Sequence, residues 1–155
     1  MTGTEQDAVA ICERIAEETA RALLARDFES FAAAYRVPTS VDTFEGRRTL
    51  ETMDELEDAF EAVCDHYEML AVTDLVRHVV AAAFNADGSV SGAIENRVLS
   101  GALLIQAPYV IYSTYVEADG RWKIAESVYV CDDAPGFTRA LSQGRRQKTS
   151  APHTS

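Results

Sequence analysis

Residues 72–131, VTDLVRHVVAAAFNADGSVSGAIENRVLSGALLIQAPYVIYSTYVEADGRWKIAESVYVC, decide the fold. Polar turns interrupt this stretch at Asn85-Ala86-Asp87-Gly88, near Gln106-Ala107-Pro108 and at Glu117-Ala118-Asp119-Gly120. Asp-Gly pairs supply the positive φ that tight hairpins require. The segments between the turns, 76–84, 90–105, 109–116 and 122–130, are rich in β-branched and aromatic residues, which predicts four long strands. Strands joined by short turns pair with their sequence neighbours, so the expectation is one curved antiparallel meander.

Upstream, Thr4 is placed to cap a long helix whose apolar stripe is Ala8, Ile11, Cys12, Ile15, Thr19, Ala22 and Leu23, ending near Arg26. Asp27 caps a second, shorter helix with Phe28, Phe31, Ala32 and Tyr35 on one face, and Pro38 forbids its continuation. Residues 39–44 read as a strand, turning at Glu45-Gly46 into a short return. Thr52 and Glu55 have capping-box spacing at the start of a third helix. Its stripe is Leu56, Phe60, Val63, Tyr67 and Leu70, and Glu57, Asp58, Glu61 and Asp65 form a solvated acidic face. Past Cys131, a helical turn around residues 137–141 precedes a polar tail. The domain therefore runs over residues 1–142, with a disordered tail over 143–155.

A chain of 155 residues with 47% hydrophobic composition can bury one substantial core. Its net charge of -11 argues against attraction to nucleic-acid phosphates or anionic lipid headgroups. No secretory leader is visible at residues 1–7, and the longest apolar run, 79–84, cannot span a bilayer, so a cytoplasmic setting is expected. Cys12, Cys64 and Cys131 are widely spaced, as suits buried thiols in a reducing compartment. The scattered histidines offer no metal-ligand spacing, and phosphate-loop, dinucleotide and nucleophile-elbow motifs are missing, so neither metal nor cofactor is expected.

The meander strands are apolar on both faces, whereas a sheet with one wet face alternates apolar and polar positions. Three helices cover one face only. The other is expected to bury itself against a second copy of the chain, giving a homodimer through the outer sheet face.

The order helix, short helix, strand hairpin, helix, four-strand meander, with Asp119-Gly120-Arg121-Trp122-Lys123-Ile124 opening the last strand, resembles the nuclear transport factor 2-like superfamily. That superfamily includes the ketosteroid isomerases and SnoaL-like polyketide cyclases. The resemblance implies an α+β, cystatin-like cone: a curved antiparallel sheet wrapped around the N-terminal helix, with three main helices and a pocket at one end. It also implies a role for Asp42, which falls where the isomerase branch carries its general base. That branch takes a tyrosine from its first helix, and none stands between residues 5 and 26 here.

Candidate ligand-binding residues are Tyr35, His78, Arg97, Tyr112 and Tyr115. Tyr35 ends an apolar helix face and can extend its hydroxyl to the pocket mouth. His78 shares a strand face with Val76 and Val80. Arg97 can hold a carboxylate, or pair with Glu95, which Arg77 on the next strand could also meet. Tyr112 and Tyr115 point to opposite faces, so at most one reaches the pocket. The function expected is binding of a small, mostly apolar organic ligand in the cone. The alternatives are proton transfer beside a carbonyl, of the isomerase, cyclase or dehydratase kind with Asp42 as base, or a non-catalytic dimeric interaction module.

Overall fold

The computed structural model describes residues 3–131 and 134–149, with side chains described as far as residue 144. Helix α1, Glu5–Ala25, begins at a complete capping box. The Thr4 hydroxyl accepts from Asp7 N at 3.0 Å, and the Asp7 carboxylate accepts from Thr4 N at 3.1 Å. The helix stops where Arg26 adopts a left-handed φ of 55°. The Arg26 guanidinium then reaches Glu61, Asp65 and Glu68 of helix α3, Met53–Met69, at 2.7, 2.9 and 3.1 Å. Thr52 caps α3 as its spacing predicts, but the Glu55 carboxylate accepts from Glu51 N at 2.7 Å, one residue beyond the cap.

Between these helices, α2 is only Phe28–Ala32, and β1, Tyr35–Thr43, begins four residues earlier than the sequence pattern indicates. Tyr35 is thus a strand residue rather than the end of a helix face. Pro38 sits at an irregularity of β1, where pairing shifts between Tyr35 and Ser40. β2, Gly46–Leu50, returns antiparallel to β1.

The meander forms as expected from β3, Asp74–Phe84, β4, Val90–Ser100, β6, Tyr109–Ala118, and β7, Arg121–Val130. The segment expected as one strand over 90–105 is broken at Gly101, whose φ is 62°, and Leu103–Leu104 fold back on β4 as β5. The sheet order is β2-β1-β7-β6-β4-β3, with β5 beside β4. The β1–β7 pairing is parallel, so the sheet is not antiparallel throughout. The curved, unclosed sheet carries α1 and α3 on one face, an α+β cone. Helix α4, Pro135–Thr149, interrupted at Gly144 with φ 72°, runs well past the turn expected at 137–141. Residues 150–155 of the expected tail lie outside the described ones.

Six of the seven α1 stripe residues read from sequence are buried, Ala8, Cys12, Ile15, Thr19, Ala22 and Leu23 being at most 7% exposed, and Ile11 is half-buried. On α3 the reading fails at two places. Leu70, expected on the apolar stripe, lies past the end of the helix and is 38% exposed. Asp58, expected on the wet side, is buried and lies 3.8 Å from Arg48 of β2, whose Nη1 also donates to the Leu141 carbonyl of α4 at 3.4 Å. The acidic face is covered there because α4 packs on α3.

All three cysteines are buried, and none is in a disulfide. Burial pushes the Cys12 thiol from 9.0 up to about 11, against an opposing hydrogen bond with Tyr115. Above pH 9.0 the unfolded chain loses this proton while the folded chain keeps it, so stability falls as pH rises toward 11. Denaturant midpoints of wild type and Cys12→Ala across that interval are expected to converge, and a constant gap would contradict the assignment.

Candidate functional site

The cone encloses a cavity of about 60 Å³. Ile15, Ala16, Thr19 and Leu23 of α1 form one wall, Leu56, Phe60, Val63 and Tyr67 of α3 another, and the inner faces of the sheet contribute Ile94, Ile111, Tyr115 and Tyr129. Phe137 and Leu141 of α4 complete the lining. The Phe137 ring stacks on Tyr67 at 5.9 Å and 8°, and meets Tyr109 and Tyr129 at 5.6 and 5.8 Å.

Among the described residues, one charged side chain, Arg77 of β3, lines this apolar chamber. A β-bulge puts it there. Pairing of β3 with β4 shifts between Val79 and Ala81, so the inward set changes from Leu75, Arg77 and Val79 to Ala82 and Phe84. Arg77 Nη1 donates to Thr19 Oγ1 at 2.7 Å and to the Ala16 carbonyl at 3.3 Å, and Nε donates to Asn96 Oδ1 at 3.2 Å. The fully buried Asn96 passes the interaction on, its Nδ2 donating to the Tyr109 hydroxyl at 2.6 Å. The Tyr67 phenol interacts with that of Tyr109, and the Tyr35 phenol with that of Tyr129.

Tyr35, Tyr67, Tyr115 and Tyr129 thus line the interior with a single guanidinium, and Tyr109 joins them through Asn96. Burial pushes all five phenols above their ordinary range, and the Arg77 charge opposes it in each case. At neutral pH they are O–H donors, not bases. No carboxylate and no histidine is among the described lining residues. The chamber can therefore shelter an apolar body and donate hydrogen bonds to an oxygen, but its described walls hold no group that accepts a proton at neutral pH.

Two of the sequence candidates, Tyr35 and Tyr115, line the cavity. The other four do not. Asp42 lies on the face of β1 opposite buried Val41, in register with Arg47 of β2 and Val128 of β7. His78 and Arg97 are exposed on outward positions, and Arg97 pairs with Glu95 at 3.1 Å. Tyr112, 51% exposed, stands on the outer face between Ala93 and Val128. The cross-strand meeting of Arg77 with Glu95 does not form either, because register sets His78 opposite Glu95 and Arg77 opposite Asn96. Arg77, Asn96, Tyr67, Tyr109 and Tyr129 were not among the candidates. The signal in the sequence was Asn96 itself, a polar residue alternating with Ile94 and Val98 along an otherwise apolar strand face.

The outer sheet face is a different surface. Val76, Val80, Tyr112, Val128 and Val130 are between 40% and 59% exposed there, beside an open groove that includes Ala81, Ala83, Thr114 and Glu126. No helix among the described residues is long and apolar enough to cross a membrane.

No protein-family model matches the chain, and no curated protein matches it in sequence. Solved structures do. The chain is similar to Aln2 from a Streptomyces species, with a TM-score of 0.65 and 16% identity over 85% of this chain and 95% of that one. It is similar to a domain of unknown function with a cystatin-like fold from Nostoc punctiforme, with a TM-score of 0.62 and 16% identity over 83% and 80% of the two chains. A third likeness is to an NTF-2 like protein of unknown function from Shewanella oneidensis, with a TM-score of 0.62 and 12% identity over 78% and 97%. The chain has the cystatin-like, nuclear transport factor 2-like fold that its order of elements implied.

Proposed function

We propose that this protein binds a small, mostly apolar organic molecule inside the cone. The carrying observation is the chamber itself: an apolar lining into which Arg77 and the buried phenols bring their donors from several strands and helices. At about 60 Å³ it is well below the roughly 150 Å³ that holds a benzene molecule in an engineered protein cavity. An aromatic ligand therefore needs the cavity to widen, and shortening a lining side chain such as Phe137 of α4 makes that room. Toluene is a suitable neutral probe, since a ligand that binds only the folded chain raises its melting temperature. A rise is expected for wild type and a larger one for Phe137→Ala, and no rise in either protein would remove the proposal. The setting belongs to the same reading: buried cysteines without a disulfide suit a reducing, cytoplasmic compartment.

Proton transfer with Asp42 as base is the weaker reading, because that carboxylate is not among the groups lining the cavity. A second reading has its own support and is compatible with the first. The exposed apolar side chains of β3, β6 and β7 favour pairing of the outer sheet face with a second copy of this chain. Tyr112→Glu places a charge at the middle of that face and is expected to turn a sedimenting dimer into a monomer. A wild-type monomer at micromolar concentration would exclude this pairing.

A further inference from the structure

Arginine keeps its charge at every physiological pH and carries five N–H donors. Six other arginines, Arg21, Arg26, Arg47, Arg48, Arg97 and Arg121, have a carboxylate within 4.0 Å. Arg77, which lines the cavity, has no such partner among the described residues, and its three hydrogen bonds all end on neutral acceptors. Its Nη2 has no acceptor among the described residues and is not fully buried. Tying β3 to α1 requires only the Nη1 bonds to Thr19 and Ala16. A full positive charge exceeds that structural need, and a half-buried guanidinium set against apolar walls without a counter-charge gives up part of its hydration.

What such a charge complements is an anion. The phenols around it add neutral O–H donors, and no acidic side chain among the described residues lines the chamber to compete. Resting on the cavity reading above, we propose that the ligand carries its negative charge on oxygen, as a carboxylate, phenolate or enolate, and that Arg77 is the residue that holds it. The apolar walls take the hydrocarbon part. Specificity then lies in charge: a neutral molecule of the same shape fills the same space but leaves the guanidinium uncompensated.

Benzoate and benzamide test this directly, having one ring and nearly one size but different charge. Calorimetric titrations at neutral pH, on wild type and on Phe137→Ala, are expected to show benzoate binding roughly 10- to 150-fold tighter, the range of a charge-assisted hydrogen bond. Arg77→Met should reduce benzoate to the benzamide level while benzamide affinity changes little, and Arg77→Lys should keep part of the preference. Equal affinity for the two probes in wild type and in Phe137→Ala, or benzoate binding undiminished in Arg77→Met, would overturn the anion assignment and leave the cavity reading standing. Failure of both probes to bind either protein would overturn both. Should Arg77→Met not fold, the ratio of the two affinities in wild type still decides.

Discussion

Phe137→Ala is expected to destabilise the protein by about 3–5 kcal/mol, the range for deleting a buried aromatic ring. Phe137 is 3% exposed and touches Tyr67, Tyr109, Tyr129 and His66, four rings from α3, β6 and β7. Its removal costs the transfer of the ring and leaves a void that the stacked Tyr67 can only partly refill. Single domains are stable by about 5–15 kcal/mol, so this one substitution takes roughly a fifth or more of the total. Denaturant unfolding should show the midpoint fall at unchanged slope. The same variant enlarges the chamber and should bind toluene more tightly than wild type. A loss below about 1 kcal/mol would mean that α4 is not part of the packed core.

Gly92→Val carries the second large effect, and its sign depends on one contact. Strand propensity alone favours valine over glycine in β4. A Cβ at residue 92, however, would lie 2.6 Å from Cys12 Sγ and 3.2 Å from the Tyr115 ring. Cys12 is fully buried in α1, so the helix would have to lift from the sheet along the wall that carries Ile15, Ala16 and Thr19. Overpacking of this kind costs about 1–3 kcal/mol, enough to overcome the gain in propensity. The pair Gly92→Ala and Cys12→Ala should be less harmful together than the sum of the two singles, because the second removes the sulfur that the first strikes. A Gly92→Val protein more stable than wild type would contradict this account of the helix–sheet contact.

The parts of the fold that depend on local chemistry were legible. Thr4 with Asp7 and Asp27 with Ser30 are caps formed within four residues, and the Asp-Gly turns set the meander. The parts that depend on a change of period were not. A bulge of one residue between Val79 and Ala81 reverses which side chains of β3 face inward. Strict alternation across residues 76–84 therefore drew attention to His78 on the outer face, while Arg77 beside it became the one charge among the described lining residues. Tyr35 was assigned to a helix because Phe28, Phe31, Ala32 and Tyr35 keep helical spacing, yet α2 ends at Ala32 and the parallel pairing of β1 with β7 claims Tyr35. Asp42 came from the resemblance alone, and one position along β1 separates it from Val41 on the cavity wall. Helix α4 has little apolar content to announce it, and its role follows from where Phe137 and Leu141 are placed.

The most direct test of the cavity as the ligand site is a methyl-resolved NMR titration of the full chain with benzyl alcohol, read residue by residue. The account predicts that methyl signals of Ile15, Leu56, Ile94 and Ile111 move with ligand while those of Val76, Val80 and Val128 stay in place. Movement confined to the three outer-face valines, with the four inner residues unchanged, would contradict it and put the working surface on the outside of the sheet.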